Sequence, residues 1–333
     1  KEGVKRLVQW TNYNKNLLSH LKIVHHLNPQ AKIDCALIYA DQEAGYDEWS
    51  LNNTRHQTQS DDQGSDDQNT KGISLKLTSK QMDSYRIHAL SSFLQTDSLY
   101  SYDSDWGDFD MGTSGYDGFL SIDRDRSNFT QEIRLDSNPH SSGSLIDQWT
   151  IGMHYNEISE LSAIEYLDNF DEDGDGKAKV VSDYETDTLS LFGQLNFAIN
   201  PNNRLSVGLR SENHRVNFDS KTLNNVVYWG APTLDTGSTT SNKDRLFGAS
   251  LNYEKILSER ERLFLSYRRG YKAAGANSST FRTIDSDSPL SYESERRDTF
   301  ELGYRFANLS NRYRGQVNLF HLTRNNAQLR DSE

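Results

Sequence analysis

Apolar and polar residues alternate along most of this chain of 333 residues. The segment Arg262–Lys272 shows the pattern well. One face of an extended strand there carries Leu263, Leu265, Tyr267 and Tyr271, and the opposite face carries Ser266, Arg268, Gly270 and Lys272. The segment Thr299–Phe306 repeats the alternation with Leu302 on the apolar face and Glu301 on the polar face. Each segment is therefore predicted to be a strand with one apolar face, a pattern that soluble β-sandwiches also show.

The same alternation predicts about thirteen strands along the chain. They cover residues 4–10, 17–26, 31–41, 71–79, 84–97, 128–136, 145–157, 184–199, 204–216, 244–256, 262–272, 299–306 and 313–325. From Leu17 onward, short turns alternate with loops of roughly 24 to 30 residues, a length that argues against a compact soluble domain. Short periplasmic turns and long extracellular loops are typical of outer-membrane barrels. The sequence therefore predicts an all-β, antiparallel transmembrane β-barrel.

The strand number indicates that the barrel is incomplete. A closed bacterial barrel has an even number of strands, and open strand edges cannot face lipid. The last residues, Gln328–Glu333, have the pattern of a further strand that begins there. We therefore interpret residues 1–333 as a fragment of a single barrel domain, with the closing C-terminal strands and any plug domain outside it.

Composition and charge narrow the possible functions. The net charge of −12 and the lack of a basic stripe argue against nucleic acid as a partner. The single cysteine, Cys35, excludes an internal disulfide and a cysteine-based metal cluster, and we interpret it as a small residue on an apolar face. No apolar run is long enough for a transmembrane helix, and Lys1–Arg6 lacks the apolar core of a signal peptide.

One acidic segment matches part of a calcium-binding loop. Asp171, Asp173 and Asp175 occupy positions 1, 3 and 5 of an EF-hand-like loop. Gly176 is at position 6, but Ser182 stands where the bidentate Glu is expected at position 12. The segment is thus either a weak calcium site or a solvated acidic turn, and no other cofactor is predicted.

Motifs for catalysis do not occur in the sequence. The nine histidines show no metal-binding spacing, and there is no nucleophile elbow, Walker loop or dinucleotide fingerprint. We therefore predict that the protein is not an enzyme.

Arg269 is the one charge on the lipid-facing side of its strand, between Tyr267 and Tyr271. Its side chain is expected either to reach the membrane interface harmlessly or to contact lipid phosphates.

Four segments have patterns that belong together. They are Phe129–Leu135, Leu191–Arg210, Ser266–Asn277 and Tyr292–Arg305. In order and spacing they resemble the β-barrel of TonB-dependent outer-membrane receptors of the iron-complex type, over roughly residues 127–330. The first segment is similar to the family pattern Phe-Ser/Thr-Gln-Glu-Leu/Ile-Arg-Leu. The third departs from its pattern where Ala274 replaces a glycine.

The resemblance implies an integral outer-membrane transporter with about 22 strands around an N-terminal plug. Its expected cargo is a ferric siderophore or similar iron chelate, and its expected energy source is the TonB system, contacted through an N-terminal region outside this sequence. Outer-membrane lipid and lipopolysaccharide would surround the barrel. Three alternatives stay open: uptake of another nutrient such as vitamin B12 or a glycan, a passive porin, and a secreted soluble glycan-binding β protein.

Overall fold

The computed structural model describes most of the chain. It covers residues 13–46, 60–79, 85–108, 112, 114, 117–138, 145–170, 174–225, 238–276, 291–308 and 312–329. Fourteen β-strands account for most of these residues. Within the described ranges, no helix is long and apolar enough to cross a membrane.

The strands follow one another along the chain with few interruptions. Their bounds are β1 (Asn14–Asn28), β2 (Ala31–Tyr46), β3 (Gly64–Ser79), β4 (Tyr85–Asp103), β5 (Asp117–Ser137), β6 (Ile146–Phe170), β7 (Gly174–Asn200), β8 (Asn203–Asn225), β9 (Ser238–Ser258), β10 (Glu261–Lys272), β11 (Gly275–Ala276), β12 (Ser291–Tyr292), β13 (Glu295–Ala307) and β14 (Arg314–Asn325).

Twelve of these strands form one antiparallel sheet in the order β1-β2-β3-β4-β5-β6-β7-β8-β9-β10-β13-β14. Each strand pairs with its neighbour in sequence, apart from the short pair β11 and β12 that lies between β10 and β13. The twelve correspond to the predicted strands from residue 17 onward. The predicted strand at residues 4–10 lies outside the described residues. The all-β, antiparallel class is confirmed, and the outer edges of β1 and β14 have no neighbouring strand among the described residues.

Short turns and longer hairpins alternate between the strands, as predicted, but the hairpin connections are shorter than the 24 to 30 residues expected because the strands continue into them. The sheet therefore has a turn end, where the short connections lie, and a hairpin end opposite to it. At the turn end, asparagine side chains close the backbone. Asn28 Oδ1 accepts a hydrogen bond from Gln30 N at 2.8 Å, and Asn200 Oδ1 accepts one from Asn202 N at 3.0 Å. These Asx turns explain why the chain reverses within two residues there.

The strands are longer than the sequence predicted. Residues 158–183 were expected to be a loop, but β6 and β7 contain 25 and 27 residues and stay paired up to Phe170 and Gly174. At about 3.3 Å per residue, β7 extends roughly 90 Å, whereas about 9–11 residues cross a membrane. The loop prediction failed because polar residues on both faces hide the alternation. Backbone pairing needs no apolar face to continue into water.

The outer face of the sheet carries exposed rows of apolar side chains. Leu265, Leu302 and Leu319 are direct neighbours across three strands and are 49%, 44% and 67% exposed. A second row crosses four strands and contains Leu37, Ile73, Phe93 and Phe129. A soluble sandwich would cover such rows with a second sheet. Here no described element covers them, as expected for a surface that meets lipid.

Candidate functional site on the concave face

Polar side chains line the opposite face of the sheet in equally regular rows. One row crosses five strands and contains Asn196, Ser206, Asn252, Ser266 and Glu301. Together with Arg204, Arg262 and Arg305, these residues line a cavity of about 480 Å³ near the turn end. Since residues from β6 to β13 surround one cavity, the sheet curves around its polar face, which we call the concave face.

The concave face offers donors and acceptors rather than a reactive group. Glu301 Oε1 accepts a hydrogen bond from Asn318 Nδ2 at 2.6 Å, and Arg262 Nη1 lies 3.0 Å from Glu254 Oε1. Pairs of this kind present both charges to whatever fills the space. Such a wall suits hydrogen bonding to a polar domain or solute. Arg268 and Glu301, both predicted on the polar face, lie around the cavity together with Arg305, and the strand register places all three on the same face as Ser266.

A network of four side chains lies higher on the concave face. Arg210 donates from Nη2 to Glu212 Oε2 at 2.7 Å and to Ser190 Oγ at 2.6 Å. Ser190 Oγ in turn donates to Glu212 Oε2 at 2.8 Å. Ser190 is fully buried and Glu212 is 8% exposed. Because the buried carboxylate has a cationic partner and a hydroxyl donor, its burial is compensated, and the network fixes the Arg210 guanidinium on β8.

Tyr271 completes this network from a distant strand, which the sequence did not predict. Its alternation places it on the outer face, but Arg210 Nε donates to Tyr271 Oη at 3.1 Å and Tyr271 Oη lies 3.2 Å from Glu212 Oε2. Pairing of β10 with β9 ends at Arg269, so the strand end is free to turn. Gly248 makes room for the ring, since a Cβ there would lie 3.2 Å from the Tyr271 Cε1 atom.

The chain after β10 folds over the concave face at the hairpin end. Ala274 N donates to Asp244 Oδ2 of β9 at 2.8 Å. Two residues further on, Ala276 packs with Val216 and Phe218 of β8, and Tyr184 of β7 contacts the same small apolar cluster. Val216, Phe218 and Ala276 are thus three buried apolar side chains that touch one another. The start of the β10–β13 connection therefore narrows the space enclosed by the sheet.

A second set of contacts holds the return of that connection. Arg324 of β14 donates to both oxygens of Glu295, at 2.9 Å and 2.6 Å, and Gln328 N donates to Glu295 Oε2 at 2.9 Å. Gln328 Nε2 donates to the carbonyl oxygens of Ala273 and Glu293. Gln328 thus links the two ends of the connection. The bidentate ion pair holds the return end against β14.

Two glycines of the concave face lie under aromatic rings from the next strand. Gly303 pairs directly with Phe264, and a Cβ on Gly303 would lie 2.0 Å from the Phe264 Cζ atom. Gly152 and Phe192 form the same arrangement, with a separation of 2.4 Å. Any side chain at either position would have to displace the ring, so glycine fits both places. The rings therefore lie flat against the wall.

The residues singled out from the sequence have different outcomes. Asp171 and Asp173 lie outside the described residues, and so does the Asp175 side chain. Arg269 is indeed on the outer face, where its Nε donates to Asp298 Oδ1 at 2.8 Å. It is therefore held by an ion pair rather than reaching the interface alone.

An acidic cluster at the hairpin end was missed by the sequence interpretation. Asp61, Asp103 and Asp105 come together there, and Asp61 also lies close to Asp62 and Asp117. Asp103 and Asp105 are about forty positions away from Asp61, and only the pairing of β3 with β4 brings the two segments together. The Asp-x-Asp spacing of Asp103 and Asp105, in the predicted loop after strand 84–97, was the one available signal.

Comparison with solved structures relates the whole sheet to known receptors. The ferric yersiniabactin uptake receptor FyuA from Yersinia pestis superposes with a TM-score of 0.73 and 14% identity, over 95% of this chain and 46% of the receptor. The open form of the ferric-catecholate import receptor Fiu from E. coli K12 gives 0.63 and 13%, over 96% and 53%. The ferric citrate transporter FecA gives 0.61 and 14%, over 94% and 44%. The chain thus spans about half the length of these receptors.

Family comparison gives the identity of the chain. No curated protein sequence matches it. The family described as TonB dependent receptor-like, beta-barrel matches residues 24–333, which is nearly the whole sequence. The chain therefore belongs to the TonB-dependent receptor β-barrel family, whose members are outer-membrane transporters and not enzymes.

Proposed function

We propose that this chain forms part of the wall of an active transporter that imports a ferric siderophore or a similar iron chelate. The observation that carries the proposal is the family match over residues 24–333. Three similar structures are the ferric yersiniabactin uptake receptor FyuA, the ferric-catecholate import receptor Fiu and the ferric citrate transporter FecA. Because all three carry ferric chelates, we expect an iron chelate as the cargo here as well.

The concave face supports a transport role in physical terms. A plug domain inside the barrel would meet the polar row that contains Ser266 and Glu301, and hydrogen bonds there can exchange with water at little net cost. The inward fold of Ala274 and Ala276 places the β10–β13 connection above that space. A solute that enters from outside would pass this connection first. We therefore assign it to the entrance of the transport path.

We further propose that residues 1–333 belong to one barrel domain of about 22 strands that also contains a plug. Two observations support this. The outer edges of β1 and β14 have no partner among the described residues, and an edge of this kind cannot face lipid. In addition, the chain covers 46% of FyuA and 53% of Fiu. Further strands would pair with both edges and close the wall.

The proposed partners follow from the two faces. On the inside, a plug would connect the barrel to the TonB system of the inner membrane. On the outside, the exposed rows that contain Leu265 and Leu302 would contact lipid tails. Arg269 and Arg296 share Asp298 on that side. Two cations around one carboxylate leave net positive charge, which would favour phosphate groups of lipopolysaccharide.

Uptake of radioactive iron tests the proposed cargo. A deletion strain and a complemented strain would be supplied with ⁵⁵Fe bound to hydroxamate, catecholate and citrate-type chelators under iron limitation. We expect one class to depend on the intact gene and on a functional TonB protein. Labelled vitamin B12 and labelled oligosaccharides serve as parallel substrates.

Each outcome has a defined meaning. If the deletion strain loses uptake of B12 or of an oligosaccharide but takes up all iron chelates normally, that nutrient would replace iron as the proposed cargo. Gene-dependent uptake that persists without TonB would contradict active transport and support a passive porin. Recovery of the protein in the soluble fraction without detergent would contradict both the active transporter and the passive porin.

A further inference from the structure

Three carboxylates meet at the hairpin end of β3, β4 and β5. One oxygen from each of Asp61, Asp103 and Asp105 lies within 4.8 Å of the other two. Asp61 precedes β3, Asp103 is the last residue of β4, and Asp105 follows it by two positions. The backbone holds the two segments together, since Asp61 N donates to the Gly107 carbonyl oxygen at 3.2 Å.

The Asp105 side chain is buried and unpaired within this group. Only 5% of Asp105 is exposed, and neither of its carboxylate oxygens has a hydrogen-bond partner in the part of the chain that the structure describes. Buried carboxylates normally accept several hydrogen bonds, because desolvation without them is costly. A carboxylate that is turned toward two other carboxylates instead lacks the compensation that a cation would supply.

Asp103 shows how the group is oriented. Its Oδ1 atom accepts hydrogen bonds from the backbone nitrogens of Asp105 and Trp106, both at 3.1 Å. Its Oδ2 atom is buried and has no partner among the described residues. Trp106 adopts a left-handed backbone conformation with φ of 60°, which is uncommon for a residue other than glycine. The turn thus uses one oxygen of Asp103 to hold the backbone and leaves the other buried without a hydrogen bond among the described residues.

The electrostatic surroundings disfavour three negative charges without a counterion. Burial raises the pKa of Asp103 to about 7, and the neighbouring Asp105 adds to that shift. Burial also raises the pKa of Asp61 to about 6, followed by repulsion from Asp108, Asp62 and other carboxylates. These groups lie far beyond the roughly 9–11 residues that cross the membrane from the turn end, so water and its ions can reach them.

We propose that Asp61, Asp103 and Asp105 bind a calcium ion at the hairpin end of β3–β5. Calcium prefers carboxylate and carbonyl oxygens at about 2.3–2.6 Å. Two such oxygens on opposite sides of the ion lie roughly 4.6–5.2 Å apart, and the distances within the group fit inside that limit. Magnesium is a poorer fit, because it requires a near-ideal octahedron and keeps several waters. Zinc would favour His or Cys ligands, which the group does not contain.

An ion at this place would add a second link between the two hairpin connections, beside the hydrogen bond from Asp61 N to the Gly107 carbonyl oxygen. The segment before β3 belongs to the connection between β2 and β3, and Asp103 and Asp105 belong to the connection between β4 and β5. Neutralising the three charges removes their repulsion, so the two connections can stay together above the membrane. This role is independent of the cargo, and the site would bind calcium even if the imported nutrient is not an iron chelate.

Calorimetric titration of the intact protein with calcium tests the site. The protein would be stripped of metal with EDTA and depleted of lipopolysaccharide, which itself binds divalent cations, and then titrated with CaCl₂ and with MgCl₂ in detergent. We expect one saturable calcium site with a dissociation constant below about 1 mM, the range of extracellular calcium modules. Magnesium should bind at least tenfold more weakly. Terbium luminescence excited through tryptophan gives a second readout, since Trp106 directly follows Asp105.

Matched variants decide whether the binding belongs to these residues. Asp105→Asn keeps the shape and removes one charge, and it should weaken calcium binding at least tenfold. Asp123→Asn changes an exposed carboxylate of β5 outside the group and should leave binding unchanged. If Asp105→Asn does not assemble, Asp61→Asn at the partly exposed position provides the same comparison. Absence of saturable binding up to about 10 mM calcium, or equal binding by the Asn variants and the parent protein, would overturn the proposal.

Discussion

The lower and upper parts of β8 show opposite patterns on the same strand. Near the turn end, Leu205 and Leu209 point outward and Ser206 points to the concave face. Towards the hairpin end the phase is unchanged, but Asn213 and Asn217 are outward whereas Val216 and Phe218 are inward and buried. The inversion comes after about ten residues, which is the length that crosses a membrane.

The inversion shows that the medium outside the sheet determines which face of a strand carries the apolar residues. In the lower part, the outer solvent is lipid, so the apolar face is the exposed one. In the upper part, the outer solvent is water, and the apolar side chains turn inward to pack against Ala276. The backbone ladder runs through both parts without interruption. One strand therefore exposes its apolar side chains at the end surrounded by lipid and buries them at the end surrounded by water.

The largest effect is expected when the lower outer face receives a charge. Leu302→Arg places a cation between Leu265 and Leu319, which should destabilise the membrane-inserted protein by about 2–4 kcal/mol at the bilayer midplane. Glu301→Arg puts the same side chain on the concave face and should assemble normally. Heat-modifiable mobility and outer-membrane fractionation measure assembly. Equal assembly of both variants would show that the outer face is assigned wrongly.

A smaller effect is expected from the upper inner cluster. Phe218→Ala removes the ring that packs on Val216 and Ala276, and large-to-small changes at buried aromatic positions cost about 3 kcal/mol. Because this cluster lies above the membrane, assembly should persist while the β10–β13 connection becomes more accessible. Limited proteolysis of whole cells should therefore cut within residues 273–294 at least tenfold faster. Phe247→Ala, on the half-exposed outer side of β9, is the matched control; equal cleavage rates would contradict the inward fold.

The next effect compares two glycines of one hairpin. Gly303→Val forces a side chain into the Phe264 ring, whereas nothing lies within 4 Å of a Cβ at Gly270. Overpacking of this kind costs about 1–3 kcal/mol. We expect a lower melting temperature for Gly303→Val than for Gly270→Val, measured by loss of heat-modifiable mobility. A larger loss at Gly270 would mean that the ring does not cover Gly303.

The smallest effect concerns the Tyr271 hydroxyl. Tyr271→Phe removes the contacts to Arg210 and Glu212 but keeps the ring beside Gly248, so about 1 kcal/mol of stability should be lost. Tyr313→Phe, at a largely exposed position, should lose less. Differential scanning calorimetry of the detergent-solubilised protein can resolve the two. No difference between them would show that the network does not stabilise the end of β10.

Local alternation was sufficient to predict the lower part of the molecule. Leu302 and Glu301 could be assigned to opposite faces because a period of two residues is independent of tertiary context. Strand ends could not be predicted, since β7 continues to Gly174 through polar residues whose pairing depends only on the partner strand. A polar stretch looks the same in sequence whether its backbone is paired or not.

Contacts between distant strands were also beyond the sequence. Tyr271 reaches Glu212 because pairing with β9 stops at Arg269, and no property of residues 262–272 alone signals that end. The Asp-x-Asp spacing marks Asp103 and Asp105 but does not point to Asp61, whose proximity depends on the register of β3 with β4. The candidate concave face was predictable as a polar surface, whereas its networks required the three-dimensional arrangement.

The rings that cover Gly152 and Gly303 have a mechanical consequence for the interior of the wall. A flat aromatic face has low relief and no hydrogen-bonding atoms, unlike the polar rows on either side of it. Two such places, on β6 and on β13, interrupt the polar surface with which the wall could hydrogen-bond to a domain inside it. A domain inside the wall that has to move would therefore break no hydrogen bonds at these two rings, whereas it would break them at the polar rows.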